Sequence, residues 1–514
     1  MQGFAHSSIA DTIIANGAWR IGDAGLNSYN EKMPGFSLLW AATAELGGLH
    51  PLVHVQLYLA LITSTCVLVA YLIGLKATGR RLVGFASSLF LAFFGSFLML
   101  TSTVTKEAIG LVIVPVAVLL FHERRDPRKR VLSLLLLILL PFVHHLTTLL
   151  TLGMVAALTL VSHRRALARG RFSIGLLALD VATIGGPTVI SYLYYESVNM
   201  SFLSDVTTSD ALTLLLAIFV LVGALLAGTW RPARGRAGGR LASAARPVLL
   251  VPAAGFAVLV ANAQTNVFVG GSETRPALLQ IVPWLVVLAA FALIGYYFVR
   301  RTSNRVNDLI LSMLAAPAAL ILFGFLRGLD SLSFTIVYRT ADFLDYGIAI
   351  LVGIGFVAVW TRLGRSRATR AVLAAGFLAA LLGTTPMAYD HPAVFGVDNV
   401  VTTQEFQALA FVASLGAQRI ASEPRLTDVA ATWFGIPGDS AFLLRLQRDE
   451  SITGVDYAVV LERWSVIGTQ VRSIPDVLID ASTLAAFLEA NRILRADGSP
   501  GDRVYVVQVL PGAA

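Results

Sequence analysis

The chain has 514 residues, 56% of them hydrophobic and only 14% charged, with a mean hydropathy of +0.74 and a formal charge of +8. That balance excludes an ordinary water-soluble globular protein. It also excludes nucleic acid as the partner of the positive charge, because the arginines sit between apolar runs rather than on one polar face. The single cysteine, Cys66, excludes an intrachain disulfide and a Cys-rich metal site.

The first stretch, 1–49, is polar and rich in Gly, Asn and acidic residues. Ser8 to Ala15 reads as a short amphipathic helix, Asn16-Gly17 and 23–30 as turns, and Pro34 opens a second helix from Gly35 to Glu45. Apolar runs follow at 52–75, 82–99, 107–121, 173–194, 211–229, 247–263, 276–298, 308–326, 342–360 and 371–388, most of them near the ~20 residues that a bilayer requires. The run 131–161 has 31 residues, too many for one span and too few for two ordinary ones, with Pro141 and His144-His145 near its middle. Charge decides its shape. Basic clusters lie at Lys76/Arg80/Arg81, Arg124 to Arg130, Arg164 to Arg171, Arg231 to Arg246, Arg300/Arg301/Arg305 and Arg362 to Arg370. All share the cytoplasmic side only if 131–161 turns back as a hairpin of two short helices, 131–142 and 145–161, since a single span would reverse every later cluster.

The expected fold is therefore an α-helical polytopic membrane protein of the cell membrane, with about 12 membrane passes including that short hairpin, and with both termini exterior. After Tyr389 the composition turns polar. Thr402-x-x-Glu405 is a capping box for a helix to about Ile420, 456–461 and 504–510 read as strands, 482–490 as a helix, and DGSPGD at 497–502 as a turn. Three domains result: an exterior loop with amphipathic helices (1–49), a transmembrane domain (50–389) and a small exterior α/β domain (390–514).

The order of parts in the first loop is a short helix, Asn16-Gly17 followed by Trp19, then Tyr29-Asn30, then Pro34-Gly35-Phe36 with Leu38 and Leu39. This resembles the first exterior loop of GT-C-type glycosyltransferases, archaeal members above all, and the likeness covers roughly Met1 to Phe121 in order and spacing. The resemblance implies an integral-membrane enzyme that moves a sugar from a polyprenyl-phosphate carrier to a glycan or protein acceptor at the outer face of the bilayer. It also implies a membrane helix preceding the loop. In the archaeal pattern an Asp, a hydrophobic residue and a His precede the glycine that corresponds to Gly3, which puts an Asp just upstream of Met1. The C-terminal domain lacks the WWDYG signature of oligosaccharyltransferases, which weighs against en-bloc transfer.

Such an enzyme has to hold an anionic phosphate at the membrane surface and supply a carboxylate for the acceptor. Lys106-Glu107 opens the 107–121 run where the relatives carry a basic-acidic pair, although charges at span ends also simply mark the interface. His144-His145, followed by Thr147 and Thr148, falls at the hairpin tip, where a recessed, solvated cavity would let imidazole bind the donor phosphate or shuttle a proton. The bland alternative is an interfacial turn. Adjacent histidines point apart on a helix, so this pair is not a metal site.

Glu273-Thr274-Arg275-Pro276 and Tyr338-Arg339 open two later spans, and YR-x-x-DF is similar to the arginine-bearing loop beside the carrier phosphate in GT-C enzymes. Asp345 falls at apolar depth and should pair with Arg339 or another cation; Asp180 reads as a helix-packing group. The candidate catalytic residues are Asp11, Glu31 and Glu107, the first two reading equally as groups that order the loop. The candidate substrate-binding residues are Lys106, His144, His145, Glu273, Arg275, Tyr338 and Arg339. No metal ligands are read and no cofactor is indicated, a divalent cation being compatible. Walker, nucleophile-elbow, zincin and dinucleotide motifs are absent. A transporter or flippase of lipid-linked saccharide shares the topology but lacks a visible inverted repeat, and a non-catalytic envelope assembly protein is the third reading.

Overall fold

The computed structural model describes residues 2–23, 28–200, 207–229, 276–301, 305–327, 331–390, 394, 400–439, 441–448, 450–471 and 474–510. By internal contacts these fall into two compact units, one from Met1–Val55, Ala261–Leu278 and Asp390–Ala514, the other from Gln56–Val260 and Leu279–Tyr389.

The second unit is helical. It holds most of α4 (Pro51–Thr78), then α5 (Arg81–Phe93), α6 (Gly95–Ser102), α7 (Lys106–His122), α8 (Pro127–Val143), α9 (His145–Ala168), α10 (Ile174–Ser197), α11 (Thr208–Thr229), α12 (Pro276–Arg301), α13 (Arg305–Arg327), α14 (Ser331–Leu363), α15 (Arg367–Leu382) and α16 (Pro386–Tyr389). Among the described residues seven helices are long and apolar enough to cross a membrane, or eight if α5 and α6, bent by 62° to each other, count as one broken span. The apolar run at 247–263 lies outside the described residues. Along α4, Leu57, Leu61 and Leu68 are all more than 60% exposed, a face that suits hydrocarbon rather than water as its solvent. Helices pack closely where glycine allows it. A Cβ at Gly295 would stand 1.9 Å from the Leu351 carbonyl oxygen, and one at Gly355 1.9 Å from that of Phe291, so α12 and α14 cross backbone to backbone.

The 131–161 run does form two helices, and both are longer than the expected 131–142 and 145–161. Asp126 caps the Arg128 N–H and Pro127 takes the first helical position, which starts α8 four residues early; α9 runs on through His163 and Arg165. The apolar run marks only the part of each helix that needs an apolar solvent. The helices separate at His144, whose backbone is extended at φ −165° and ψ 130°.

The first unit joins the N-terminal residues to the C-terminal domain. α1 (Gln2–Asn16) begins well before Ser8, and the short α2 (Ser28–Glu31) and α3 (Gly35–Gly47) follow. Then come α17 (Thr403–Ser414), β1 (Ile420–Ala421), α18 (Pro424–Phe434), β2 (Gly438–Asp439), α19 (Phe442–Gln447), β3 (Tyr457–Leu461), β4 (Thr469–Val471), β5 (Ile474–Val477), α20 (Ala481–Ala490), β6 (Arg492–Asp497) and β7 (Val504–Gln508). The five-stranded sheet has the order β2-β1-β3-β7-β6, parallel across β2, β1 and β3 and antiparallel across β3, β7 and β6. Its core is Val459, Val460, Val506 and Val507 against Phe442, Leu409 and Val429. The capping box at Thr402 and Glu405 is formed as expected, but its helix stops at Ser414, where Gly416 at φ +73° turns the chain into β1. The two-residue strands β1 and β2 are too short to show alternation in sequence.

α1 packs on α3 and on α18. His6 Nδ1 lies 2.8 Å from Ser37 Oγ, and Phe4 stacks on Phe406 at 5.4 Å and meets Trp433 edge-on at 5.8 Å. Behind that face Arg425 holds Glu405 with two hydrogen bonds, of 2.7 and 2.6 Å, and also binds Glu423, and Arg463 adds a second cation to Glu405. A buried carboxylate held by two guanidiniums is tolerable because its lone pairs are filled.

Candidate functional site

Residues from three separate parts of the helical unit meet at one end of α7. Thr105 caps that helix, its hydroxyl accepting from the Ala108 N–H, so Lys106 and Glu107 occupy the first turn, where a carboxylate complements the helix dipole. Both are buried, each 2% exposed. Arg339 of α14 places Nη1 2.6 Å from Glu107 Oε1, and His144 places Nε2 3.4 Å from the same oxygen. His144 is 1% exposed and its Nδ1 lies 3.0 Å from Thr147 Oγ1. The hairpin tip is therefore packed against α7 rather than solvated, a correction to the expectation. The tip closes up because the pair of helices packs its polar end residues on Glu107. Arg339, whose side chain is 30% exposed, is the member of the cluster most open to solvent.

Two local devices hold these helices in register. On α7, Gly110 lies one turn from Glu107, on the same face. A Cβ there would meet Thr147 Cγ2 and Oγ1 at 2.7 Å, so the missing side chain is what lets α9 approach and His144 reach the carboxylate. Farther along, Pro115 has no N–H to give the Leu111 carbonyl four residues back. Tyr346 of α14 fills the gap, its hydroxyl donating to Leu111 O at 2.7 Å. Glu107 precedes Leu111 on α7 and Arg339 precedes Tyr346 on α14. The two ties therefore run in the same order, and the two helices point the same way.

No protein-family model matches the chain, and no curated protein does. Among solved structures it is similar to the arabinofuranosyltransferase AftD from mycobacteria, determined by single-particle cryo-EM, with a TM-score of 0.40 and 12% identity over 92% of this chain and 35% of that one. The chain thus spans about a third of the length of that protein. A likeness this shallow assigns neither family nor activity.

Asp342 and Asp345 lie on α14 beside the cluster. Asp342 accepts from Ser96 Oγ at 3.0 Å. Asp345 is 5% exposed and its Oδ2 has no hydrogen-bond partner among the described residues. The expected pairing of Asp345 with Arg339 is not made. Six residues on one helix put the two side chains on different faces and about 9 Å apart along the axis, and Arg339 turns to Glu107 instead. One Glu107 oxygen, Oε2, is buried with no hydrogen-bond partner among the described residues.

His145 stands beside His144 with ring centroids 4.7 Å apart. Glu273 and Arg275 lie outside the described residues, as does the side chain of Tyr338 on α14. Asp11 and Glu31 belong to the other unit. Glu31 is 1% exposed, its carboxylate accepting from the Gly22 N–H at 2.7 Å while its carbonyl accepts from Trp19 Nε1 at 3.1 Å. Those bonds order the loop. Asp11 is half-buried 3.9 Å from His50, and burial pushes its carboxyl above the usual range, with His50 partly offsetting. Among the described residues no group of three or more His, Cys, Asp or Glu is placed to hold a metal ion.

At the other end of α7, Asp180 is fully buried and satisfied. It accepts from Arg124 Nε at 2.7 Å and Arg130 Nη2 at 2.9 Å, and lies 2.8 Å from His163 Nε2. This is the helix-packing role expected of it.

Proposed function

We propose that this is an integral-membrane glycosyltransferase that moves one sugar from a polyprenyl-phosphate carrier to an acceptor at the outer face of the cell membrane. The observation that carries the reading is the convergence of Lys106, Glu107, His144 and Arg339 from three helices at one end of the bundle. Of the four, the Arg339 guanidinium lies nearest solvent and can present a planar fork to two oxygens of a phosphate. In this reading Arg339 and Lys106 take the carrier phosphate. Glu107 aims Arg339, and His144, engaged at both ring nitrogens, holds Glu107. The resemblance of the first loop and of YR-x-x-DF to GT-C enzymes supports the same assignment.

Parity and charge together support the sidedness. α7 and α14 point the same way, which demands an odd number of passes between them. Counting each of the six described helices between them as a pass, and the apolar run expected from sequence to span at 247–263 as one more, gives seven. The packing of α1 on α18 within one compact unit supports placing 1–55 and 390–514 on one side, as an even total of twelve passes would. The arginine clusters take the cytoplasmic side and the candidate site the outer one.

Glycan analysis of a strain lacking the gene tests the activity. Loss of a terminal sugar that returns with the wild-type gene but not with Arg339→Ala is the expected result. Unchanged glycans together with lost solute uptake would replace the enzyme with a transporter.

A further inference from the structure

A strongly charged cavity lies at the opposite end of the helices from Lys106. It measures about 200 Å³ and is lined by Arg124, Arg125, Arg165, Arg169 and Arg171 against a single carboxylate, Asp308. Its walls are the turn after α7, the last turns of α9, the start of α10 and the start of α13, so four helices end around it. Asp180 neutralises Arg124 together with Arg130, and Asp308 lies 2.7 Å from Arg165 Nη2. The lining thus carries five guanidiniums and one carboxylate. Arg165 Nη1 is buried with no hydrogen-bond partner among the described residues. Ser173 also lines the cavity as the N-cap of α10, so the positive end of a 24-residue helix opens on the same space.

The rim is apolar. Leu167 is 64% exposed, Phe172 39% and Ile174 76%, interleaved in sequence with Arg169, Arg171 and Ser173. Basic lining with exposed apolar neighbours at the polar ends of membrane-crossing helices matches an amphiphile better than a free ion. We propose that this cavity binds the phosphate of an anionic phospholipid headgroup, the acyl chains lying against Leu167, Phe172 and Ile174. The site is separate from the cluster around Glu107 and does not depend on the glycosyltransferase reading. The arginines supply charge-assisted hydrogen bonds to the phosphate oxygens. The buried pairs with Asp180 and Asp308 fix the cavity wall.

Full-length protein in detergent is titrated with phosphatidylglycerol, phosphatidylcholine or inorganic phosphate, and adducts are counted by native mass spectrometry. Phosphatidylglycerol should bind about tenfold more tightly than phosphatidylcholine. The double variant Arg125→Gln/Arg171→Gln, which changes two exposed residues and leaves the buried pairs intact, should erase the preference while eluting as folded protein. Arg365→Gln/Arg367→Gln, in another arginine cluster, should preserve it. Equal loss in both double variants, or equal binding of the two lipids, would overturn the proposal. Inorganic phosphate binding as tightly as phosphatidylglycerol would make the occupant a free anion and overturn the lipid assignment.

Discussion

Removing Arg339 strands the Glu107 carboxylate in a helix end that is 2% exposed, with His144 as its remaining close partner. Breaking a fully buried pair costs about 3–5 kcal/mol, and the partial exposure of Arg339 brings the expectation to ~2–3 kcal/mol for Arg339→Met. Adding Glu107→Gln should return part of that, because it removes the stranded carboxylate although Lys106 beside it loses its opposite charge, and thermal unfolding in detergent of the four proteins measures the cycle. Transfer activity should not return with it. Arg339→Lys keeps the charge but loses the fork, so it should recover stability better than activity.

A second residue sets an acid limit. Glu123, between α7 and α8, is bound by Lys129 and Lys76, which hold its carboxyl at about 2 against an ordinary 4.5. A carboxyl depressed on folding contributes stability above its unfolded value and loses it as pH falls through the folded one. The wild type should therefore lose thermal stability relative to Glu123→Gln between pH 4.5 and about 2, and run parallel to it above pH 5.5 or so. The pair is partly exposed, so the difference should be small and shrink in salt.

At the scale of elements, the register of α7 against α9 and α14 is the feature to perturb. Gly110→Ala forces a methyl onto Thr147 and should cost about 1–3 kcal/mol, with part recovered by adding Thr147→Ala. Tyr346→Phe leaves the Leu111 carbonyl without its donor, a loss of about 1–3 kcal/mol. In a Pro115→Ala background the new N–H at position 115 can take that carbonyl, so Tyr346→Phe should then cost markedly less; unfolding midpoints of the four proteins decide it. These ties also show why the site was only partly legible in sequence. Lys106, Glu107, His144 and Arg339 stand out singly, as charged or titratable groups at the ends of apolar runs. That Arg339 meets Glu107 depends on how α14 packs on α7, and that His144 joins them depends on Gly110, and both effects are tertiary. The helices were legible because apolar runs are long. Their ends were not, since α8 and α9 continue as helix beyond the apolar stretch, and β1 and β2 are too short to carry a period.

At the scale of the molecule, the contact that constrains topology most is between the first helix and the last domain. Phe4 stacks on Phe406 and meets Trp433, while His50 approaches Trp433 at 6.4 Å, so residues from both ends of the chain complete one aromatic cluster. Two segments that share a packed face share a side of the membrane. Phe4 is only partly buried, so Phe4→Ala should cost ~1–2 kcal/mol, below the ~3–5 of a fully buried phenylalanine. The cost should appear as easier proteolysis within 400–439 rather than in the helical unit. Sidedness itself can be read with single cysteines, because the native Cys66 is buried and silent to a polar maleimide. Ser499→Cys, in the exposed turn before β7, and Asn16→Cys, at the exposed end of α1, should label together from outside intact cells. Ser243→Cys, within the arginine-rich stretch 231–246, should label only after permeabilisation. Labelling of Ser499→Cys and Asn16→Cys from opposite sides would break the α1–α18 contact. Labelling of all three from outside would leave that contact standing but remove the twelve-pass topology, because the arginines of 231–246 would then face outward, against the charge rule that orients every helix between them.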